Sequence, residues 1–446
     1  MDFKIKAKTP AAMRHAIEDI PGDKSISHRA IILGSLSSNR VVFTNFLDAL
    51  DCMHTSNIFQ MMGVPIIHSL IDKTVMIDGV GIHGLQQPED PLYVGNSGTG
   101  IRLITGVLSG QIFDSQIYGD ESIQTRPMKR VIDPLTLMGA HIKGTLIEGK
   151  KDIYPPLTLS GNSGLNGISY TLPVASAQVK SAILFASLYS DTPTIVTEPK
   201  KCRDHTENML KGFGADIQVA GKKIRCSGKN ILRNPDTNTA IHIPSDISSA
   251  AFFIVLGCLV SSSQLTFTGI GLNSTRVALL HVLLEMGVTL KIQNQKGQDM
   301  EPYGDITVAT SALHNIEVSE KFIPFLIDEI PILAIAAMFG KGTLKITKAE
   351  ELRTKESDRI SAIVDMVRNM GGTIQEFPDG FELTGPSEFK EFKVNSKKDH
   401  RIAMSAIIGA IASGKSAVVE DCECIDTSFP NFFDILRSLN IDFELE

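Results

Sequence analysis

Two kinds of apolar pattern alternate along the chain. In the first, a polar or charged start leads into an almost uniform block of Ala, Ile, Leu and Val, at 30–36, 101–108, 182–188, 250–260, 332–338 and 402–411. A helix that is apolar all round belongs inside a bundle or beneath sheets, so six buried helices are predicted. In the second, a helix-like stretch closes on a turn residue and a strand begins: Met61-Met62-Gly63-Val64, Leu137-Met138-Gly139-Ala140, Gly212-Phe213-Gly214-Ala215, Glu285-Met286-Gly287-Val288 and Asn369-Met370-Gly371-Gly372, with a degenerate sixth copy at Ser438-Leu439-Asn440-Ile441. Each Gly, or the final Asn, suits the left-handed residue that ends a helix. Successive turn residues are 76, 75, 73, 84 and 69 positions apart by subtraction. That interval is too long for a solenoid repeat and fits a compact α/β unit. Segments such as 74–77 and 265–268 read as short strands. Six α/β units divide naturally into two domains of three, and the polar stretch 234–239 is the expected break.

Composition narrows the class without changing the picture. A length of 446 residues predicts two or three domains. At 43% hydrophobic and 21% charged, the chain reads as soluble and globular. Its longest apolar run, 250–260, is far shorter than the ~20 residues that cross a bilayer, and Met1-Asp2-Phe3 does not open an apolar signal core. A cytoplasmic location is expected. The net charge of −7 argues against nonspecific nucleic-acid binding. It leaves room for a small anion, because a few clustered Arg and Lys can reverse the field locally. The six Cys are scattered at 52, 202, 226, 258, 422 and 424, and the single C-x-C pair has no second pair to complete a zinc site. Ordinary thiols are expected.

The candidate chemistry sits at the starts of the six apolar helices. They read Gly22-Asp23-Lys24-Ser25-Ile26-Ser27-His28-Arg29; Gly95-Asn96-Ser97-Gly98-Thr99-Gly100 with Arg102; Ser176-Ala177-Gln178-Val179-Lys180; Pro244-Ser245-Asp246 with Ser248 and Ser249; Asp328-Glu329; and Asp399-His400-Arg401. A helix N-terminus offers unpaired N–H donors and about half a positive charge, so several together would trap phosphate and carboxylate. Any single Ser or Asn there reads first as a plain cap. Arg and Lys at such starts oppose the dipole and are tolerated best beside an anion. Further cationic runs are Arg126-Pro127-Met128-Lys129-Arg130, Lys200-Lys201-Cys202-Arg203-Asp204-His205 and Arg353-Thr354-Lys355-Glu356-Ser357-Asp358-Arg359. The last is expected to set Lys355 and Arg359 at i, i+4 on one helix face, able to clamp one anion. Residues 95–100 are glycine-rich, yet no Lys-Ser or Lys-Thr follows at P-loop spacing and no dinucleotide fingerprint is complete.

Taken together, the runs 21–29, 95–103, 119–128, 176–181, 203–210, 327–337, 352–360 and 399–404 resemble the 5-enolpyruvylshikimate-3-phosphate synthase family over nearly the whole chain. The resemblance implies an α/β fold of two similar domains, each of three βαβαββ repeats, the inside-out barrel of the enolpyruvyl transferases. It implies a discontinuous domain of 1–21 with 240–446 and an inserted domain of 22–239. The implied reaction moves the enolpyruvyl group of phosphoenolpyruvate to the 5-hydroxyl of shikimate 3-phosphate, with no cofactor or metal. The implied acceptor-site residues are Lys24, Ser25, Arg29, Ser176, Ala177, Gln178, Arg203, Asp328 and Lys355. Those implied for phosphoenolpyruvate are Lys24, Gly98, Arg126, Gln178, Arg359 and Arg401. Asp328 is the implied base, Glu356 the implied acid, and Lys24 touches both substrates. No nucleic acid, membrane or partner chain is called for, and a monomer is expected.

Departures from the family pattern are Thr427 where many members carry Lys, and Leu103 where Pro is common. Both resemble the class II subgroup. Gly98 is retained where a methyl group would crowd the herbicide glyphosate, so sensitivity stays open. A sister transferase acting on UDP-N-acetylglucosamine uses a loop Cys, and no Cys falls between Cys52 and Cys202 here. A non-catalytic phospholigand binder of the same fold is the remaining alternative.

Overall fold

The computed structural model describes residues 1–8, 11–162, 164–228, 231–234, 236, 238–297 and 300–446. All six apolar blocks are helical. The helices run Lys24–Leu36, Gly98–Leu108, Ala177–Ser187, Ile247–Leu259, Ile330–Phe339 and His400–Ser413, with their apolar bodies buried. All six turn residues are left-handed, with φ between 58° at Asn440 and 102° at Gly139. The residue after each returns an N–H to the carbonyl five positions earlier: Val64 to Phe59, Ala140 to Leu135, Ala215 to Leu210, Val288 to Leu283, Gly372 to Val367 and Ile441 to Leu436. This Schellman closure satisfies carbonyls that a helix end would otherwise leave open.

Each repeat builds one small sheet. The Leu92–Tyr93 and Ser115–Tyr118 strands are parallel and joined through the Gly98 helix, with Ile153–Ser160 and His141–Leu146 added antiparallel. The same plan recurs around the Ala177 helix and, with one strand replaced, around the His400 helix. In two repeats the leading strand is exchanged. Arg14–Ile17 precedes the Lys24 helix but pairs with Gln264–Gly271, whereas Ile241–His242 precedes the Ile247 helix but pairs with Arg40–Thr44.

The chain accordingly forms two compact units. One comprises Met1–Pro21, Pro244–Gln298 and Pro302–Glu446; the other comprises Gly22–Ile243 and Asp299–Glu301. Each has its own apolar core, gathered around Phe252, Phe253, Ile335 and Ile407 in the first and around Ile31, Leu33, Ile104 and Phe185 in the second. Within the polar stretch 234–239, Pro235 and Thr237 lie outside the described residues. No helix among the described residues is long and apolar enough to cross a membrane.

Candidate active site

Five of the six helix starts carry a side-chain cap. Asp23 accepts from Ile26 N, Ser97 from Gly100 N, Ser176 from Val179 N, Asp246 from Ser248 N and Asp399 from Arg401 N; Glu329 makes no such bond. Three of these caps are carboxylates, which offset the positive helix end themselves. The attraction for anions therefore rests more on arginine and lysine than the sequence reading expected. The two serine-capped helices, Gly98 and Ala177, keep an uncompensated positive end.

In the unit carrying 22–243, Lys24 opens its helix and pairs with Asp51 at 2.6 Å. Arg29, one turn further and only 4% exposed, donates from Nε to Thr206 Oγ1 (2.7 Å), from Nη1 to Ser25 O (2.8 Å) and from Nη2 to Ser181 Oγ (2.9 Å). Burial lowers its pKa to about 10 against the attraction of Glu207, so it stays charged at neutral pH. Arg203 is half-buried and near enough for its charge to act on Arg29. Beneath them His28 bonds Thr55 Oγ1 at 2.8 Å and lies 3.4 Å from Ser97 Oγ; burial drives its pKa down to about 3.

A second group forms where the Gly98 and Ala177 helices begin. Gln178 donates to Thr99 Oγ1 (3.0 Å) and accepts from Arg102 Nη1 (2.7 Å), which also donates to Gly98 O (3.2 Å). Arg126 donates to Asn96 Oδ1 at 2.7 Å. A methyl on Gly98 would stand 2.7 Å from Arg126 Nη1 and 3.1 Å from Arg102 Nη1, so only glycine lets both guanidinium groups close over this backbone. Ser176, Ala177 and Gln178 are all half-buried at this helix start. Arg102 was noted in the sequence without a role, and its bridge from Gly98 to Gln178 gives it one.

The other unit gathers a compact charge cluster from three segments. Arg359 is 1% exposed and donates from Nε to Asp399 (2.8 Å), from Nη1 to Asp328 (3.3 Å) and from Nη2 to Glu356 (2.5 Å). Burial pulls its pKa down, but Asp399, then Glu356 and Asp328, outweigh burial and lift it well above the ordinary arginine value. Arg401 donates to the Asp328 carbonyl at 2.8 Å, with its Nη1 3.7 Å from Glu329.

Two sequence expectations need correction. Lys355 and Arg359 do not share a helix face. Glu350–Thr354 forms a 3-10 turn, Lys355 is extended, and Asp358 caps a helix that begins only at Arg359. Lys355 pairs with Glu351 at 2.8 Å. Lys180 is not presented to a ligand either; it is 0% exposed, between Glu198 (2.7 Å) and Glu207 (2.6 Å). The long cationic runs also partly disperse, with Lys129 paired to Asp133 and Lys201 to Asp204. No group of three His, Cys, Asp or Glu among the described residues is placed to hold a metal ion.

The model of the EPSP synthase (3-phosphoshikimate 1-carboxyvinyltransferase) family matches residues 8–436. The chain belongs to this family. It is 44% identical over 425 residues to the 3-phosphoshikimate 1-carboxyvinyltransferase of Oceanobacillus iheyensis, covering 95% of this chain and 96% of that one. The enzyme of the same name from Geobacter sp. (strain M21) is 46% identical over 418 residues, covering 94% and 95%. An EPSP synthase structure from Acinetobacter baumannii superposes with a TM-score of 0.88 at 39% identity, covering 99% of each chain. The enolpyruvyl transferase NikO of Streptomyces tendae shares the fold alone, at a TM-score of 0.79 and 15% identity over 99% and 98%. The α/β transferase fold and the family expected from the sequence motifs are thus both found.

Proposed function

We propose that this EPSP synthase family enzyme transfers the enolpyruvyl group of phosphoenolpyruvate to the 5-hydroxyl of shikimate 3-phosphate, releasing phosphate, in the pathway to chorismate and the aromatic amino acids. The observation that carries the residue roles is that one buried arginine, Arg359, pairs with both Glu356 and the distant Asp328, while Arg401 lies 3.9 Å from the same Asp328. Two carboxylates held beside two guanidinium groups suit a reaction that needs a base, an acid and a grip on an anion.

In this reading Asp328 accepts the proton of the 5-hydroxyl as its oxygen attacks C2 of phosphoenolpyruvate. Glu356 delivers a proton to C3, giving a tetrahedral intermediate. Loss of phosphate and of one C3 proton restores the double bond in the product. Arg126, Arg359 and Arg401, with the backbone at Gly98, hold phosphoenolpyruvate, and Gln178 and Lys24 serve both ligands. Ser25, Arg29, Ser176, Ala177 and Arg203 hold shikimate 3-phosphate, and Lys355 leaves Glu351 to join them. The enzyme works as a cytoplasmic monomer without a cofactor. Positioning and preorganised charge supply most of the acceleration, since a positioned acid or base contributes about 10²–10⁴-fold.

Glu356→Gln tests the assignment, because the amide keeps the shape but holds no transferable proton. Turnover, followed by phosphate release, is expected to fall by about 10²–10⁴-fold while calorimetric binding of shikimate 3-phosphate stays nearly intact. Near-wild-type turnover would remove Glu356 from the acid role.

A further inference from the structure

The proposed roles leave one buried charge cluster unused. Lys180 follows Gln178 on the Ala177 helix, yet its ammonium is buried between Glu198 and Glu207. All three side chains are buried. Glu198 follows the Thr194–Thr197 strand, and Glu207 lies in the His205–Gly212 helix, so one ammonium fastens both ends of segment 198–207. The middle of that segment is fastened to the same carboxylate. Cys202 donates to Glu198 Oε1 from its backbone N–H (3.2 Å) and from its thiol (2.5 Å). Arg203 comes next in the chain, and Thr206, just before Glu207, accepts from Arg29 and bonds Ser181 at 2.6 Å. Ser181 in turn follows Lys180 and accepts from Arg29.

From this geometry we propose that Lys180 is a positioning residue for the side of the acceptor site formed by Arg29 and Arg203. It holds Glu198 and Glu207, and through them it sets Arg203 and Thr206 against Arg29. A buried lysine between two carboxylates suits this task, since neither glutamate can move without leaving a charge uncompensated in a low-dielectric interior. The same carboxylate, Glu207, provides the leading attraction that keeps Arg29 charged against its burial. This inference rests on the assignment of Arg29 and Arg203 to shikimate 3-phosphate.

The test compares calorimetric affinity for shikimate 3-phosphate with the KM for phosphoenolpyruvate, in the full chain, for wild type, Lys180→Met and Glu198→Gln. A positioning role in the acceptor site predicts a selective loss. The affinity for shikimate 3-phosphate should fall by about tenfold or more in Lys180→Met and several-fold in Glu198→Gln, in line with the loss of one charge-assisted bond. The KM for phosphoenolpyruvate should move far less, and Lys180→Arg should recover part of the loss. Lys180→Met leaves two buried carboxylates and can fail to fold; Glu198→Gln, which keeps the Lys180–Glu207 pair, then decides alone. Folded variants with unchanged affinity for shikimate 3-phosphate, or with that affinity and the KM for phosphoenolpyruvate weakened in equal proportion, would overturn the proposal. Wild-type protein that fails to bind shikimate 3-phosphate would instead overturn the acceptor-site assignment beneath it.

Discussion

Arg29 and Arg359 are both buried, at 4% and 1% exposure, and they are held in opposite ways. Arg29 is satisfied by two hydroxyls and a carbonyl, all neutral. Arg359 is wrapped by three carboxylates. A guanidinium ringed by neutral oxygens retains its charge for an incoming anion, whereas one ringed by carboxylates has already given it to the protein. Burial alone therefore says little about which arginine is poised for ligand. The identity of the partner atoms decides it. An anion arriving at Arg359 competes with Glu356 and Asp328, the two groups proposed to move protons.

The contrast can be broken by removing each guanidinium. Arg359→Met leaves Asp328, Glu356 and Asp399 crowded without a counter-charge and should cost about 3–5 kcal/mol of stability. Urea unfolding at pH 7 measures this, and part of the loss should return on acidification as a crowded carboxylate takes up a proton. Equal stability of Arg359→Met and Arg29→Met would erase the distinction. Arg29→Met should be milder on stability, because Thr206 and Ser181 already bond one another. Its effect falls on ligand, with affinity for shikimate 3-phosphate lowered by about 10–100-fold, as expected for lost charge-assisted bonds.

His28 sharpens the comparison between the two units through pH. Its folded-state pKa is lowered to about 3 from the ordinary 6.5, so the unfolded chain binds the proton more readily. The stability this provides is complete above about pH 6.5 and is lost as pH falls toward 3, with a slope of at most about 1.4 kcal/mol per pH unit. His28→Gln should flatten that acid limb, and hydrogen exchange at pH 5 should report loosening first around the Lys24 helix. The smallest effect is expected for Gly98→Ala. The added methyl must push Arg126 or Arg102 aside, so the KM for phosphoenolpyruvate should rise several-fold with binding of shikimate 3-phosphate unchanged.

Local pattern made the helices and turns legible. The six apolar blocks and the six left-handed turn residues each depend on a few adjacent positions, and all twelve are found. The charge partners were not legible. Asp51 for Lys24, Glu198 and Glu207 for Lys180, and Asp399 for Arg359 all come from other elements, and nothing local to the cations names them. That is why a lysine grouped in the sequence with the helix-start cations turns out to be an internal fastening. The Lys355–Arg359 error has a local cause that the sequence did contain. Asp358 is a strong helix cap, and it accepts from Ser361 N at 3.2 Å, so the helix starts after it and not four residues earlier. The exchanged strands at 14–17 and 241–242 follow from long-range pairing, which no short window of sequence encodes.

Strand Phe3–Ile5 runs antiparallel to Ala417–Glu420 on one side and to Glu444–Leu445 on the other. A ribosome makes that strand some 412 residues before the nearer of its neighbours, by subtraction of Ile5 from Ala417. The three sheets assembled from residues 40–242 find every partner within that stretch, so they can mature during translation. Strand Phe3–Ile5 has no lasting place in a sheet until those distant partners have been made, and its exposed edge must be kept from pairing with other chains in the meantime.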